Sequence, residues 1–242
     1  MITKKIIKEM KNLEDREKKE ILQRFFKTGR GEYGEGDKFL GIKVPQTRKI
    51  SKKYKGLILE DIKELIKNEY HEIRLLGLLI LVERYNDAKN KNDYKKKKEI
   101  VNFYLENLEC ANNWDLIDLS AYKILGDYTQ EKKEERKILR ELIKSKNMWR
   151  RRAGIISTYA LIKKGDLSET YEITKKLLND KKDLMHKACG WMMREAGKKD
   201  EKKLLEFIET YGEKMPRTML RYSIEKINDR ERKKILEKTR KK

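Results

Sequence analysis

A row of charged residues recurs along this sequence at the spacing of a helical repeat. Arg74, Asp118, Arg152, Lys187 and Arg221 each open a four-residue segment of mostly small or apolar residues, at intervals of 44, 34, 35 and 34 residues. In stacked helical repeats, equivalent positions line up on one face. Four cations in line suit a run of backbone phosphates, whereas charges that simply lie at the solvent edge of each helix would give the same pattern. The row predicts one of these two surfaces.

Asp118 is the one carboxylate in this row. Nearby cations lower the pKa of a carboxyl group, so Asp118 is expected to stay ionised, and it would repel a phosphate. A carboxylate in that setting can stabilise a developing cation or position a water molecule. The structural alternative is a salt bridge to Arg152 one repeat away, and both roles can hold together.

The three tryptophans of the chain, Trp114, Trp149 and Trp191, lie near the charged row. Trp114 precedes Asp118 by four residues, which is one turn along the same face of a helix, and Trp191 follows Lys187 by four. Tryptophan faces attract cations and stack on bases, although filling a core is their commoner role. Three tryptophans beside one charged row favour a binding site.

The elements that carry these residues are predicted to be helices in pairs. Only two prolines occur in 242 residues, and apolar residues recur at helical spacing, as at Leu59, Ile62 and Ile66. Intervals of 42, 35, 35 and 32 residues between the second helices are typical of HEAT-like repeats. The predicted fold is all-α, a right-handed α-α superhelix with a concave basic groove. Its second helices are expected to begin near His71, Asn113, Met148, Asp183 and Met215.

One domain over residues 1–242 is expected, because no linker rich in Pro, Gly or Ser interrupts the repeats. Its parts are N-terminal helices with a Gly-rich loop (1–56), the helix-pair repeats (57–227) and a basic C-terminal helix or tail (228–242). The first helices are predicted near residues 3–13 and 15–27. Pro45 is expected at the first position of the next helix, where its missing N–H costs nothing.

The segment from Gly29 to Gly34 matches the dinucleotide-binding pattern GxGxxG. That pattern binds a nucleotide only between a strand and a helix. Here residues 20–27 have a helical pattern and residues 35–37 continue as loop, so no nucleotide site is predicted. The loop is interpreted either as a flexible hinge or as a mobile loop that presents Tyr33 to a ligand.

The composition favours a polyanionic partner. There are 62 Lys and Arg residues against 41 Asp and Glu, a formal charge of +21, which suits nucleic acid or an anionic membrane surface. A surface rich in Lys and Glu is also common in heat-adapted proteins. Cys110 and Cys189 lack metal-ligand spacing, so we expect no metal and no cofactor, and a cytoplasmic location. No segment predicts a signal peptide or a membrane span.

The sequence resembles the DNA alkylation repair enzymes, the AlkD-like DNA glycosylases built from HEAT-like repeats. The matching segments lie in order at repeat spacing and span about residues 25 to 225; they are residues 33–42, 113–118, 148–153, 186–195 and 215–222. The resemblance implies hydrolysis of the N-glycosidic bond of purines alkylated at N3 or N7, such as 3-methyladenine and 7-methylguanine, in double-stranded DNA. A monomer is expected.

The resemblance also implies roles for single residues. Asp118 matches the catalytic aspartate, Trp114 and Trp191 match the tryptophans that flank the lesion nucleotide, and Arg152 matches the arginine that joins them in the cleft. Tyr33 falls near a lesion-side tyrosine. Contacts to backbone phosphates are expected from Arg48, Arg74, Lys187, Arg194, Arg217 and Arg221.

Two other functions fit the same residues. The chain could be a non-catalytic module that binds damaged DNA, since the family contains members with weak or no glycosylase activity. It could instead be a protein-binding scaffold, which is the commonest role of HEAT repeats and predicts no salt-dependent affinity for DNA.

Overall fold

The fold is known from a computed structural model that describes residues 2–240. Every regular element in that range is helical, so the all-α prediction is confirmed. A single isolated bridge pairs Lys38 with Tyr70 within the same range. The α-helices are α1 (Ile2–Lys11), α2 (Arg16–Phe25), α3 (Val44–Lys53), α4 (Leu59–Ile66), α5 (His71–Asn90), α6 (Tyr94–Glu106), α7 (Trp114–Ala121), α8 (Asp127–Glu131), α9 (Lys137–Leu142), α10 (Met148–Lys163), α11 (Ser168–Lys176), α12 (Asp183–Gly197), α13 (Glu201–Tyr211), α14 (Arg217–Ser223) and α15 (Asp229–Lys238).

Two compact units divide the chain, Met1–Ser120 (unit 1) and Ala121–Lys242 (unit 2). Short segments of other helical types complete them. Leu108–Cys110, Lys133–Arg136 and Gly212–Lys214 are 3₁₀ turns, and Tyr122–Gly126 is π-helical. The prediction of a single domain over residues 1–242 stays a prediction.

The core of unit 1 is built around α5. Residues 71–82 of this helix are buried on every side, and α3, α4 and α6 pack against it. A helix that is apolar all round belongs in an interior. Gly77 lets α4 approach closely, because a Cβ at this position would lie 2.6 Å from Ile66 Cγ2. Unit 1 therefore has one long central helix with shorter helices around it.

In unit 2, α10 and α12 occupy the centre. The π-helical segment, α9, α11 and α12 pack against α10, while α14 packs against α12. Consecutive helices pair in sequence order, as in the repeat pattern predicted from the sequence. Three of the expected second helices begin at the predicted residue, and the other two begin one and two residues later, at Trp114 and Arg217.

The ends of the chain also follow the sequence pattern. Helix α1 begins one residue before its predicted range, and α2 lies within its own. The Asp15 side chain accepts a hydrogen bond from the Lys18 N–H at the start of α2. Pro45 is the second residue of α3 rather than the first. The basic C-terminal segment forms α15, and its last two residues lie outside the described range.

The Gly-rich segment between α2 and α3 is held by its own backbone. The Gly34 N–H donates to the Lys27 carbonyl (3.1 Å), and the Gly36 N–H donates to the Thr28 carbonyl (3.3 Å). Gly34 has no room for a side chain, because a Cβ there would collide with the Phe26 carbonyl oxygen. A helix precedes this segment, so the GxGxxG match lacks the strand that nucleotide binding requires.

Candidate active site

The short helix α7 of unit 1 carries the predicted catalytic residue. The Asn113 side-chain oxygen accepts the Trp114 N–H (2.8 Å), which satisfies a donor at the helix start. Trp114 and Asp118 are four residues apart and lie on the same side of α7, and both are half-buried. The helix thus presents an aromatic face and a carboxylate one turn apart.

Asp118 has an electrostatic effect on its surroundings in unit 1. Burial raises the pKa of the Tyr104 hydroxyl above its ordinary range, and the negative charge of Asp118 raises it further. The hydrogen bond between the Tyr104 hydroxyl and Ser120 Oγ (2.7 Å) opposes that shift only in part. Tyr104 therefore stays neutral and cannot act as a base beside Asp118.

The Trp114 ring lies in an aromatic cluster at the end of α2. It stacks on Phe26, with ring centroids 5.3 Å apart, and meets Phe25 edge-on at 6.0 Å. Phe25 is 60% exposed, and the Tyr33 hydroxyl donates to its carbonyl oxygen (3.4 Å). The Tyr33 hydroxyl therefore reaches the backbone of Phe25, whose ring contacts Trp114. Sequence reasoning missed Phe25 and Phe26, whose signal is an aromatic pair at the junction of α2 and the Gly-rich segment.

A buried polar network supports α7 from behind. His71 Nδ1 lies 3.0 Å from Asp37 Oδ2, and His71 Nε2 lies 2.9 Å from Asp115 Oδ2. Arg74 pairs with the other oxygen of Asp37, and the Asn113 amide donates to Asp37 Oδ2 (3.4 Å). This network was not predicted, because its members come from three distant segments without a shared periodicity.

The charges of this network fix its protonation state. Burial by itself would lower the pKa of His71, but the charge and hydrogen bond of Asp115, together with those of Asp37, raise it to about 9. Burial opposes ionisation of Asp37, yet its pKa is lowered by His71 and Arg74. At neutral pH the His71 ring is therefore protonated and Asp37 is ionised.

An apolar cavity of about 520 Å³ opens beside the network in unit 1. Ile21, Phe25, Phe39 and Val44 are among its walls, and His71 and Asp115 lie at its polar side. Its lining is suited to an apolar or planar group rather than to a phosphate.

Unit 2 carries a second aromatic group, which we call the Tyr–Trp row and define as Tyr122, Tyr159 and Trp191. The Tyr122 and Tyr159 rings are 5.3 Å apart, and the Tyr159 and Trp191 rings are 6.2 Å apart. The Lys163 ammonium lies 4.7 Å from the centre of the Tyr159 ring and 5.3 Å from that of Tyr122. All three rings are half-buried, and Lys163 is exposed. The intervals of 37 and 32 residues between the rings could have revealed this row from the sequence.

The predicted cations of unit 2 differ in how much of their charge is available. Arg152 is only 4% exposed, and it donates to the Leu184 carbonyl (2.6 Å), so it does not lie at a solvent edge. Lys187 is half-buried and pairs with Asp183 (2.9 Å). Arg221 is exposed on α14. The charged row predicted from the sequence is therefore not a uniform line of exposed cations.

Two further arginines of unit 2 are engaged within the protein. Arg194 lies between the carboxylates of Glu195 (3.3 Å) and Glu225. Arg217 donates to the Thr239 hydroxyl (3.1 Å) and to carbonyl groups at the end of α15. A phosphate would have to compete with these partners. The DNA contacts of Arg194 and Arg217 stay a prediction.

In unit 1, Arg74 is buried and engaged within the protein, and its predicted phosphate contact stays a prediction. Arg74 is 6% exposed, and its guanidinium donates to the Asn68 and Glu69 carbonyls (3.0 and 3.1 Å) and pairs with Asp37. Arg48, by contrast, is half-buried on α3 and stays a predicted contact. The sequence pattern places Arg74 in the charged row because periodicity does not reveal burial.

Trp149 also departs from the sequence interpretation. It is buried within α10 and fills the core of unit 2, whereas Trp191 of the same unit is half-buried. Across residues 2–240, no three His, Cys, Asp or Glu side chains are grouped to hold a metal ion. None of the helices in this range is long and apolar enough to cross a membrane.

Comparisons with known proteins place the chain in a family. A model of the DNA alkylation repair enzyme family matches residues 6–227. The solved structure of a predicted DNA alkylation repair enzyme from Enterococcus faecalis is similar in fold, with a TM-score of 0.69 over 89% of this chain and 97% of that chain, at 14% identity. No curated protein matches the chain significantly. Since the family model covers most of the sequence, the chain belongs to the DNA alkylation repair enzymes.

Proposed function

We propose that this protein is a monofunctional DNA glycosylase that hydrolyses the N-glycosidic bond of N3- or N7-alkylated purines in double-stranded DNA. The observation that carries the proposal is the placement of Trp114 and Asp118 one turn apart on α7, both half-buried, in a member of the DNA alkylation repair family. We further propose that it acts as a monomer in the cytoplasm.

The chemistry requires little from the protein. An N3- or N7-alkylated purine is cationic and leaves as a neutral base, so no strong general acid is needed. As the bond breaks, positive charge develops on the deoxyribose, and the Asp118 carboxylate stabilises it where it forms. The same carboxylate orients or deprotonates the attacking water. Unmodified guanine is neutral, so its N-glycosidic bond breaks less readily. Selectivity for the alkylated base therefore follows in part from the lesion itself.

The aromatic groups supply binding. The half-buried Trp114 ring contacts the cationic nucleotide, with a contribution of about 0.5–2 kcal/mol for such a contact. Phe25 adjoins Trp114, and the Tyr33 hydroxyl bonds the Phe25 backbone; both residues are proposed to extend this surface. Trp191, Arg152 and the exposed cations of unit 2 are proposed to bind the DNA as well. Binding is largely electrostatic, because the formal charge of the chain is +21.

The decisive experiment measures base release from duplex DNA that contains 7-methylguanine. Wild-type protein is compared with Asp118→Asn and with Asp61→Asn, which removes a carboxylate from α4 that the proposal gives no role. Both variants change the net charge equally, so a general electrostatic effect cancels. We expect Asp118→Asn to slow release by about 10²- to 10³-fold with DNA binding retained, and Asp61→Asn to match the wild type.

Two other outcomes would replace the proposal. If no base is released by any protein while salt-sensitive DNA binding persists, the chain is a non-catalytic module that binds damaged DNA. If neither release nor DNA binding is found, the scaffold function takes precedence, because the positive charge then has no polyanionic partner.

A further inference from the structure

His71 connects three parts of unit 1 that are far apart in the sequence. The ring lies at the start of α5, Asp37 precedes α3, and Asp115 is the second residue of α7. The two ring nitrogens lie 3.0 and 2.9 Å from the two carboxylates, and the His71 side chain is 2% exposed. The start of α7 is therefore tied to the interior of unit 1 through one imidazole ring.

The ring holds both carboxylates only when it is doubly protonated. A neutral imidazole has one donor and one acceptor nitrogen, so one carboxylate would then face a lone pair. In a buried site such a contact is strongly unfavourable. The hydrogen bonds to Asp37 and Asp115 can therefore be made together only in the imidazolium form of His71.

The other charged groups around the His71 ring do not bond Asp115 in place of His71, because they are engaged elsewhere. Arg74 of α5 is paired with Asp37. Glu72, also on α5, accepts hydrogen bonds from the N–H groups of Leu40, Gly41 and Ile42. The hydrogen bond that His71 donates to Asp115 is therefore the ion pair through which this network reaches α7, beside the neutral Asn113 amide that donates to Asp37.

A second connection runs through stacked rings. His71 stacks on Phe39, with centroids 4.5 Å apart, and lies 5.0 Å from Phe26, which in turn stacks on Trp114. Asp115 directly follows Trp114 and precedes Asp118 by three residues. The His71 ring therefore contacts Phe26, which packs on Trp114, and Asp115, which lies on the same helix as Asp118.

We propose that His71 is a positioning residue for α7: through Asp115 and Phe26 it fixes the orientation in which Trp114 and Asp118 meet the lesion. The proposal rests on the proposed glycosylase function. Displacement of a reacting group by about 1 Å can cost about 100-fold in rate. Loss of the ring is thus expected to slow the chemical step more than it weakens DNA binding.

The test uses His71→Gln in the full chain, with His186→Gln as the matched control. His186 is the other histidine of the chain, lies in unit 2 and bonds the Asp180 carbonyl (2.6 Å). Release of 7-methylguanine is measured with enzyme in excess, which separates the rate of the chemical step from the Kd for DNA. We expect His71→Gln to lower the rate by about 100-fold, with Kd changed less than about 3-fold. The proposal would be overturned if His71→Gln lost excision rate and DNA affinity by the same factor, or if it lost neither.

Asp115→Asn is the conservative second variant. Its amide oxygen still accepts from His71 Nε2, so most of the excision rate should remain at pH 7, while the alkaline limit of activity moves to lower pH because one stabilising charge is gone. An unchanged pH profile would overturn the proposal even if His71→Gln failed to fold.

Hydrogen exchange separates this proposal from the proposed function. In His71→Gln, the amides of α7 are expected to exchange at least about 10-fold faster, whereas those of α10 should match the wild type. Unchanged exchange in α7 would refute positioning whether or not the protein releases base. Faster exchange of α7 in His71→Gln, combined with no base release by the wild type, would refute only the glycosylase function.

Discussion

Trp114 stacks on Phe26 with ring centroids 5.3 Å apart and planes inclined by 24°. One face of the tryptophan is thus used inside unit 1, and the half-exposed remainder of the ring is what a nucleotide can contact. The proposed site is therefore held by the protein on one side before DNA binds, which limits the side-chain entropy lost on binding.

Trp114 and Trp149 should respond in opposite ways to truncation. Trp114→Ala, made in the Asp118→Asn background to prevent turnover, should lower the preference for duplexes with 7-methylguanine over undamaged duplexes by about 2- to 30-fold. Trp149→Ala should leave that preference intact but lower the free energy of unfolding by about 3–5 kcal/mol, because it empties a core position. Fluorescence anisotropy and urea unfolding measure the two effects. Equal loss of preference in both variants would contradict this division.

Arg74 and Arg221 test the difference between a buried and an exposed cation. Arg74→Met should lower the free energy of unfolding by about 3–5 kcal/mol, because the buried Asp37 loses one of its two cationic partners, without changing the salt dependence of DNA binding. Arg221→Gln should keep stability within about 0.5 kcal/mol and, if Arg221 contacts a phosphate, reduce the slope of log affinity against log salt by about 0.9. A reduced slope for Arg74→Met would show that the side chain leaves its buried site.

The stability of the protein should fall at alkaline pH because of His71. Its pKa is about 9 in the folded protein against an ordinary value of 6.5. The protonated ring therefore contributes fully below pH 6.5, and this contribution is lost as the pH rises through 9. The difference corresponds to ~3 kcal/mol of unfolding free energy.

Urea unfolding between pH 6 and pH 10 measures this effect, with His71→Gln as the control that removes it. At acid pH the sign reverses, because the pKa of Asp37 is lowered from its ordinary 3.8. Its contribution is present above that value and is lost as the pH falls below it. A wild-type profile parallel to that of His71→Gln up to pH 10 would exclude the imidazolium.

Lys163 should contact the DNA backbone next to the Tyr–Trp row. Lys163→Gln is expected to reduce the salt slope of DNA binding by about 0.9, the effect of one lost phosphate contact. Lys144→Gln changes the net charge equally at an exposed lysine that pairs with Glu141, and it serves as the control. Identical slopes for the two variants would indicate that only net charge matters.

The sequence predicted the repeat well, because helical periodicity is a local property. The starts of α5, α10 and α12 follow directly from it, as does the joint placement of Trp114 and Asp118 on α7. Burial is a property of the whole fold, and periodicity did not reveal it. Arg74, Arg152 and Trp149 therefore looked like surface residues although each is buried.

The buried network behind α7 could not be predicted from the sequence for a similar reason. Asp37, His71 and Asp115 are separated by 34 and 44 residues, and only packing brings them together. A lone histidine in an apolar helix gives no pattern to detect. Phe25 and Phe26 form a visible aromatic pair in the sequence, but only packing brings that pair against Trp114.

The Glu72 carboxylate has a consequence for where a polyanion can bind. Three successive N–H groups, those of Leu40, Gly41 and Ile42, converge on it at 2.9, 2.8 and 3.2 Å. Converging amides of this kind form a concave anion-binding nest of the type that holds phosphate in other proteins. Here the chain supplies its own anion from 30 residues away, so the nest is occupied from the moment that α5 docks. In a protein of such high positive charge, these three N–H groups are therefore not available to an external phosphate.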